Sequence, residues 1–426
     1  MNGEQPTGLS DLSLYVPEPS MDLNRLLDYR AEQSPKLDRR LRKALQATGQ
    51  EQMRFPEPWE DTSTLAAESA YRLLSRAQGN TLSKLRYLSV GTETPVDHSK
   101  PVSAYVEGML QHSGLPVPES LSTFQVQHAC AGGTIAMMSV GALLHLSRRS
   151  DESGLVICSD IARYEVPSTA EITQGAGAVA LHVENNPKLL EIDLDTQGYF
   201  SSDVDDFFRP LGSVTAKVKG GYSVQCYHEA LDSAFLDHCE RRREAPEAVL
   251  RGTDMFIVHV PFYRMGITAM HNLLSKYITQ DEAEIERFLT DRGFYNGLKP
   301  AKHVGNIYSG SAYMALMFQL ADRYRELGGD IVGRKLLVAS YGSGNTMTVY
   351  SMTVAERAPE VIASWDLDAI LNGGRDAEIS EYESWLEAPL ARERFNDLMG
   401  GMEVPNARFY LGSLREDGYR EYKFRQ

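Results

Sequence analysis

Cysteine is scarce: Cys130, Cys158, Cys226 and Cys239 are the only four in 426 residues. They are too few and too irregular for a disulfide framework, and no CxxC pair suggests zinc, so the expected state is four reduced thiols and no metal. Each is by default a small buried hydrophobe. Positive charge is also short. A formal net charge of −15 disfavours sequence-independent nucleic-acid binding, which needs clustered Lys and Arg against phosphates. An acidic surface serves solubility instead. No apolar run approaches the roughly 18–20 residues that span a bilayer, and Met1 to Ser10 has neither the basic flank nor the apolar stretch of a signal peptide. The expected setting is cytoplasmic, with no membrane and no nucleic acid as partner.

What remains is a globular composition, 42% hydrophobic and 24% charged, in a chain longer than the roughly 100–200 residues of one ordinary domain. Short apolar β-type runs alternate with helical patterns, the arrangement of a mostly parallel sheet covered by helices. Strands are predicted at Leu12–Val16, Tyr87–Val90, Thr123–Val126, Leu155–Cys158 and Gly177–Val183, with amphipathic helices at Thr62–Arg76, Val102–Leu110 and Thr134–Leu146. The rhythm repeats: a strand at Leu189–Leu194, a helix at Ser223–Arg242 and a strand at Met255–Val258 come first. Helices at Ile267–Tyr277, Asp281–Asp291 and Ser311–Tyr324 follow, then strands at Lys335–Ala339 and Thr346–Thr353. Two similar αβ halves are implied, 1–185 and 186–426. The polar tail from Glu356 carries one amphipathic helix near Ser380–Met399 and is expected to pack outside the second half.

Five segments carry chemistry. In Phe124–Thr134 a buried strand runs through a small-residue turn into a helix and sets Cys130 at the helix N-terminus, where free N–H groups and the dipole favour the thiolate. Phe256–Met265 ends a strand with His259 and a proline that stops the ladder, and a lone histidine there is more often structural than catalytic. In a two-half αβ fold, though, both residues reach the C-terminal strand edges where such sheets hold ligands. His128 suits a pocket wall. Asn306, within His303–Ser311, fits either a helix cap or a site amide. Ser340–Asn345 reads as a plain hairpin turn or as one side of an oxyanion hole. Glu93 follows a strand; it is a solvated carboxylate or, in a dry pocket, an acid or base of raised pKa.

Taken in order, these segments resemble the 3-hydroxy-3-methylglutaryl-CoA synthase family of the thiolase superfamily. The matching stretches are Leu14–Pro17, Ser159–Tyr164, Thr173–Gly177, Asp206–Pro210, His259–Phe262, Gly305–Tyr308, Ser340–Gly344, Phe409–Leu411 and Arg420–Tyr422. The resemblance implies an α/β thiolase fold, duplicated halves in a five-layer αβαβα arrangement, and a homodimer. It implies an acyltransferase that condenses acetyl-CoA with acetoacetyl-CoA, in the mevalonate pathway to isoprenoids. Coenzyme A thioesters are substrates, and no cofactor is permanently bound.

By the same resemblance Cys130 is the acetylated nucleophile, Glu93 the base, His259 the group that polarises the acceptor thioester and Asn306 the amide that holds it. Ala131, Tyr164, Thr173, Pro261, Arg264, Tyr308 and Ser343 are the implied substrate-binding residues. Two positions depart from the pattern: Ala131 stands for the usual Tyr and Arg264 for the usual Lys that meets coenzyme A, which keeps charge but changes geometry. Relatives in polyketide pathways use acceptors on an acyl carrier protein, for which Arg148–Arg149 or Arg241–Arg243 offer basic patches. A ketoacyl synthase that starts fatty-acid synthesis shares the Cys, His and Asn but not Glu93. An inactive thiolase-fold partner is expected to lack at least one of Cys130, Glu93 and His259, and all three are present.

Overall fold

The computed structural model describes residues 5–77, 81–403 and 407–425. Its spine is a ten-stranded sheet. The strands of the first half are β1 (Thr7–Tyr15), β2 (Leu85–Gly91), β3 (Ser122–Val126), β4 (Ser153–Ala162) and β5 (Gly175–Asn185). Those of the second are β6 (Leu190–Ile192), β7 (Gly198–Ser201), β8 (Met255–Val258), β9 (Lys335–Gly342) and β10 (Thr346–Val354). The sheet order is β8, β9, β10, β6, β1, β5, β4, β2, β3, with β7 paired to β10.

One pairing pattern occurs twice. β2 is parallel to β4, which is antiparallel to β5, itself antiparallel to β1. β8 is parallel to β9, which is antiparallel to β10, itself antiparallel to β6. The two sets meet where β1 and β6 pair antiparallel, Gly8 opposite Glu191.

The period of two along each strand sorts its side chains into layers. In β4, Val156 and Cys158 enter a central cluster while Leu155 and Ile157 enter an outer one. In β9, Leu336 and Val338 face the same central cluster while Leu337, Ala339 and Tyr341 face a second outer one. The central layer holds α5 (Gly132–Ser147) and α8 (Gly310–Leu327), through Ala136, Met137 and Val140 of one and Met314, Met317 and Leu320 of the other. Outside lie α3 (Thr62–Ser75) and α4 (Val102–His112) on the first half, and α6 (Gly220–Arg242) and α7 (Tyr263–Tyr277) on the second. Five layers result, and strands buried on both faces read as unbroken apolar runs.

Residues Ala129–Ser147 are long and apolar enough to cross a membrane by length and composition, which the run-by-run reading missed because Ser, Gly and Thr interrupt them. Gly132–Ser147 of this stretch form the central helix, apolar on several sides because it is packed on several sides. Strand β1 starts five residues before the predicted Leu12, because its ladder with β5 continues to Thr7 opposite Asn185.

The tail differs most from expectation. Two helices, Ile379–Leu386 and Arg392–Gly401, replace the single one. Pro389 between them cannot supply a helical N–H. The tail divides. Ala358, Ile362 and Leu367 of its first two helices, Ala358–Ala363 and Leu367–Asn372, bury in the central cluster, the first helix against the second half's α8 as expected. The helix Ile379–Leu386 and the closing hairpin pack on the first half. Tyr382 and Trp385 bury with Met21, Leu23 and Phe55. Phe409 and Phe424 stack against Tyr71, and Tyr422 against Tyr105. Scattered aromatics in a polar stretch carry this docking, a signal periodicity does not detect. Phe409→Ala is expected to cost about 3–5 kcal/mol, read by denaturant unfolding; a loss under about 1 kcal/mol would show that the tail is not part of the core.

Candidate active site

The segment between β3 and α5 turns through Ala129, which takes the left-handed φ of +39° that non-glycine residues seldom adopt. The turn closes with Ala131 N–H donating to His128 O at 2.9 Å. It leaves Cys130 only 7% exposed, beside Tyr164 and Tyr308. Gly91 ends β2 against the same helix start: a Cβ there would stand 2.2 Å from Gly133 N. Only glycine permits that approach, and it brings the Thr92–Glu93 segment to Cys130.

Glu93 is buried and ion-paired: Arg209 Nη2 donates to its Oε1 at 3.1 Å and Arg209 Nη1 to its backbone O at 2.6 Å. The same guanidinium donates to the Tyr308 hydroxyl at 3.0 Å. Burial raises the Glu93 carboxyl, while the Arg209 charge and the Tyr308 hydroxyl pull it back. Behind it Asp160 Oδ1 accepts from Thr92 Oγ1 at 2.8 Å, Glu93 N at 2.9 Å and Thr94 Oγ1 at 2.8 Å, fixing the backbone of the loop. Asp160 Oδ2 has no partner, and burial together with the Glu93 charge raises this carboxyl as well.

Burial also pushes the Cys130 thiol well above its ordinary range, with Glu93, Asp160 and Asp206 adding to the rise and Arg209 opposing it. The expectation of a favoured thiolate is therefore corrected. The helix start is present, but three carboxylates and a dry setting outweigh a dipole worth about 0.3–1 kcal/mol.

Asn306 is buried against Tyr164 and Tyr308. Its Nδ2 reaches the Tyr164 hydroxyl at 3.4 Å, and its Oδ1 accepts from Tyr308 N at 2.9 Å and Ser311 Oγ at 3.2 Å. Asn306 N–H donates to Thr173 O at 3.2 Å, so Thr173 contributes its backbone. Tyr308 has φ +49°, a second strained residue beside the thiol.

His259 follows β8, its N–H donating to Ala339 O at 2.9 Å and its carbonyl accepting from Tyr227 at 3.1 Å. Nδ1 is buried without a partner, and burial lowers the imidazole to about 3. At that value the ring is neutral at physiological pH, not an imidazolium. Tyr227 stacks edge-on against Tyr341 at 5.0 Å, and Tyr341 donates to Asp206 Oδ2 at 2.8 Å. Asp206 Oδ1 in turn accepts from Gly344 N at 2.9 Å. This chain pins the hairpin turn between β9 and β10, which holds Ser343. A Cβ on Gly342 would lie 2.5 Å from His128 O and 2.8 Å from Ala131 Cβ. The turn is both a hairpin and a wall of the Cys130 segment, and Ala131 is buried against it.

Glu93, Cys130, Tyr164, Thr173, Asn306 and Tyr308 thus form one contiguous cluster, with Ser343 on the adjoining turn. Pro261 is half-buried just past His259. Arg264 is exposed at the start of α7, outside the cluster. It lines a cavity of about 420 Å³ with Tyr263, Lys302, Gln50 and Arg42. Two of its lining residues lie near site residues in sequence, Tyr263 after His259 and Lys302 before Asn306. Sequence reasoning passed over Arg209, Asp160 and Asp206. Each is a charge set among aromatic or β-branched residues, within segments already quoted for the resemblance.

A thiol, a carboxylate, a neutral imidazole and an amide at the edge of a duplicated five-layer α/β fold define a protein of the thiolase-like class. Residues 4–188 match the model described as hydroxymethylglutaryl-coenzyme A synthase N terminal, and residues 266–422 the corresponding C-terminal model. The chain belongs to the hydroxymethylglutaryl-coenzyme A synthase family. It is 28% identical over 377 residues to the hydroxymethylglutaryl-CoA synthase of Enterococcus faecalis, covering 88% of this chain and 90% of that one. To the synthase of Haloferax volcanii it is 30% identical over 372 residues, covering 77% and 81%. A solved structure, MvaS in complex with 3-hydroxy-3-methylglutaryl coenzyme A, superposes with a TM-score of 0.81 at 32% identity over 99% of both chains.

Proposed function

We propose that the chain condenses acetyl-CoA with acetoacetyl-CoA to give 3-hydroxy-3-methylglutaryl-CoA, through an acetyl group carried on Cys130. The observation that carries this reading is the dry cluster that sets Glu93, bound to Arg209, beside the Cys130 thiol. The thiol displaces coenzyme A from acetyl-CoA, forming the enzyme thioester and releasing coenzyme A with the thiol's proton. Glu93 takes a proton from the acetyl methyl group, and the resulting carbanion adds to the acceptor ketone. His259 donates to the acceptor thioester carbonyl and Asn306 Nδ2 helps to hold it. Backbone N–H groups of Cys130 and Ser343 serve the oxyanions. Water then cleaves the Cys130 thioester. Residues 1–185 supply the thiol and base, and residues 186–426 the histidine and amide. The test is intact-mass spectrometry with peptide mapping after acetyl-CoA: one acetyl group on Cys130 supports the reading, and none, or one on Cys158, overturns it.

Arg209 acts through Glu93 as a positioning residue. Arg209→Gln removes a charge that lowers the carboxyl, so the acidic limb of the condensation rate profile is expected to move to higher pH. An unmoved limb with only lower activity would mark a structural role.

We further propose a cytoplasmic homodimer serving the mevalonate pathway. Among the described residues β3 ends the sheet with β2 as its only neighbour. On the adjoining α5, Leu143 and Leu146 are 41% and 77% exposed. An open edge beside apolar side chains is a pairing surface. Light scattering is expected to give twice the chain mass for wild type and a shift toward monomer for Leu146→Glu; a monomeric wild type ends this assignment.

A further inference from the structure

A buried chain of hydrogen bonds runs from the tail to the wall of the Cys130 cluster, and the proposed reaction leaves it unused. It begins on α1 (Leu23–Gln33), where buried Arg30 holds Glu171, Nη2 on Oε1 at 2.7 Å and Nε on Oε2 at 3.2 Å. Glu171 opens one short helical turn, Glu171–Thr173. Ile172 of that turn buries with Leu41 of α2 (Pro35–Thr48) and with Tyr382 and Trp385 of the tail. The Tyr382 hydroxyl donates to Glu171 Oε1 at 3.0 Å and accepts from Gln174 Nε2 at 2.8 Å. Gln174 Oε1 in turn accepts from Tyr164 N at 2.9 Å. Tyr164 packs beside Cys130, and its hydroxyl accepts from Asn306 Nδ2 at 3.4 Å. The backbone of the same turn reaches the same amide residue, since Thr173 O accepts from Asn306 N–H at 3.2 Å. Arg163, the neighbour of Tyr164, is tied to the tail as well, donating to Ala388 O and stacking over the Trp385 ring at 4.3 Å.

We propose that Gln174 and Tyr382 are positioning residues: they fix Tyr164 and, through it, the Asn306 amide that meets the acceptor, so that the tail helix Ile379–Leu386 sets how the acceptor is held. This rests on the condensation reading and extends it from the site to its support. Gln174 and Tyr382 are both fully buried. Polar groups at that depth have given up water and are retained only with partners. An apolar pair of the same shape would fill the space at little cost, so packing alone does not call for an amide and a phenol here. What the polar pair adds is direction. Tyr164 N can only donate, so Gln174 must turn Oε1 to it and Nε2 to Tyr382. Tyr308 N likewise can only donate, which fixes Asn306 Oδ1 on it and leaves Nδ2 toward Tyr164. One Nδ2 hydrogen serves the Tyr164 hydroxyl, and the second is left for the acceptor. A shift of Tyr164 therefore turns the amide that the acceptor meets, and a small misplacement of such a group is costly.

The experiment compares wild type with Tyr382→Phe, which removes only a hydroxyl, with Gln174→Leu, and with the two combined. Acetylation of Cys130 by acetyl-CoA and condensation with acetoacetyl-CoA are measured as separate half-reactions. Backbone hydrogen exchange is followed by mass spectrometry in the free enzyme. Each single variant is expected to raise the KM for acetoacetyl-CoA about 10-fold, the scale of one buried hydrogen bond, and to leave acetylation within about twofold. Peptides that hold Tyr164 and Asn306 should exchange faster in both variants, and the peptide that holds Cys130 should not. In the double variant the KM should rise no further than in Gln174→Leu alone, because the two residues act in series. Tyr382→Phe decides by itself should Gln174→Leu fail to fold. The proposal is overturned if the KM does not move, if acetylation falls in parallel, if exchange rises only around Tyr382, or if the two substitutions add. Faster exchange at Tyr164 and Asn306, in a protein whose wild type does not condense acetoacetyl-CoA, keeps the positioning chain and removes the condensation reading.

Discussion

Glu93→Gln is expected to form the Cys130 acetyl adduct at close to the wild-type rate and to condense it about 10²- to 10⁴-fold more slowly, about 3–5 kcal/mol of barrier. The substitution preserves shape, and its amide still accepts from Arg209. What it deletes is the basic oxygen. Burial raises the Glu93 carboxyl, so the base becomes competent only as pH rises through that elevated value. The wild-type condensation rate should climb with pH there, and the glutamine variant should be flat. Single-turnover measurements of the two half-reactions decide it. Equal losses in both would make Glu93 a structural residue that shapes the loop through Arg209 and Asp160.

Cys130→Ala is expected to abolish the acetyl adduct and lower condensation by about 10⁶-fold, the scale on which deleting a covalent nucleophile acts. The loss should be close to complete because no second thiol can substitute. Cys158 is fully buried in β4, and Cys226 and Cys239 are buried on α6. The raised Cys130 thiol adds a pH signature, since acetylation should accelerate as pH rises without a plateau near neutrality. A variant that retains a hundredth of wild-type turnover, or acquires label elsewhere, would refute covalent catalysis at this position.

The setting of Cys130 was legible because its signal is local. A buried strand, a turn of small residues and a helix occupy consecutive positions, and no other cysteine in the chain has that setting. His259 and Asn306 were legible only as strand-end and pre-helix residues, ambiguous one at a time and informative as an ordered set. Arg209 was not: it follows the two-residue strand Phe207–Phe208 and reaches Glu93 across 116 positions of sequence. Asp160 likewise sits in mid-strand, where a carboxylate reads as an anomaly until the Thr92–Thr94 loop is seen to wrap it. The tail misled for the related reason that its few aromatics carry the packing while its polar majority sets the periodicity.

The sequence by itself determined the alternation of strands and helices, the strands buried on both faces, the duplicated halves and the thiol at a helix start. All of these follow from side-chain period, turn chemistry and composition within windows of a few residues. Only the tertiary structure decided which charges meet. It set Arg209 on Glu93, Asp160 behind the loop, a neutral His259 with a free Nδ1, and a Cys130 thiol raised by burial. Desolvation and ion pairing depend on three-dimensional neighbours brought together by ten strands and five layers, and no local pattern encodes the distance between them.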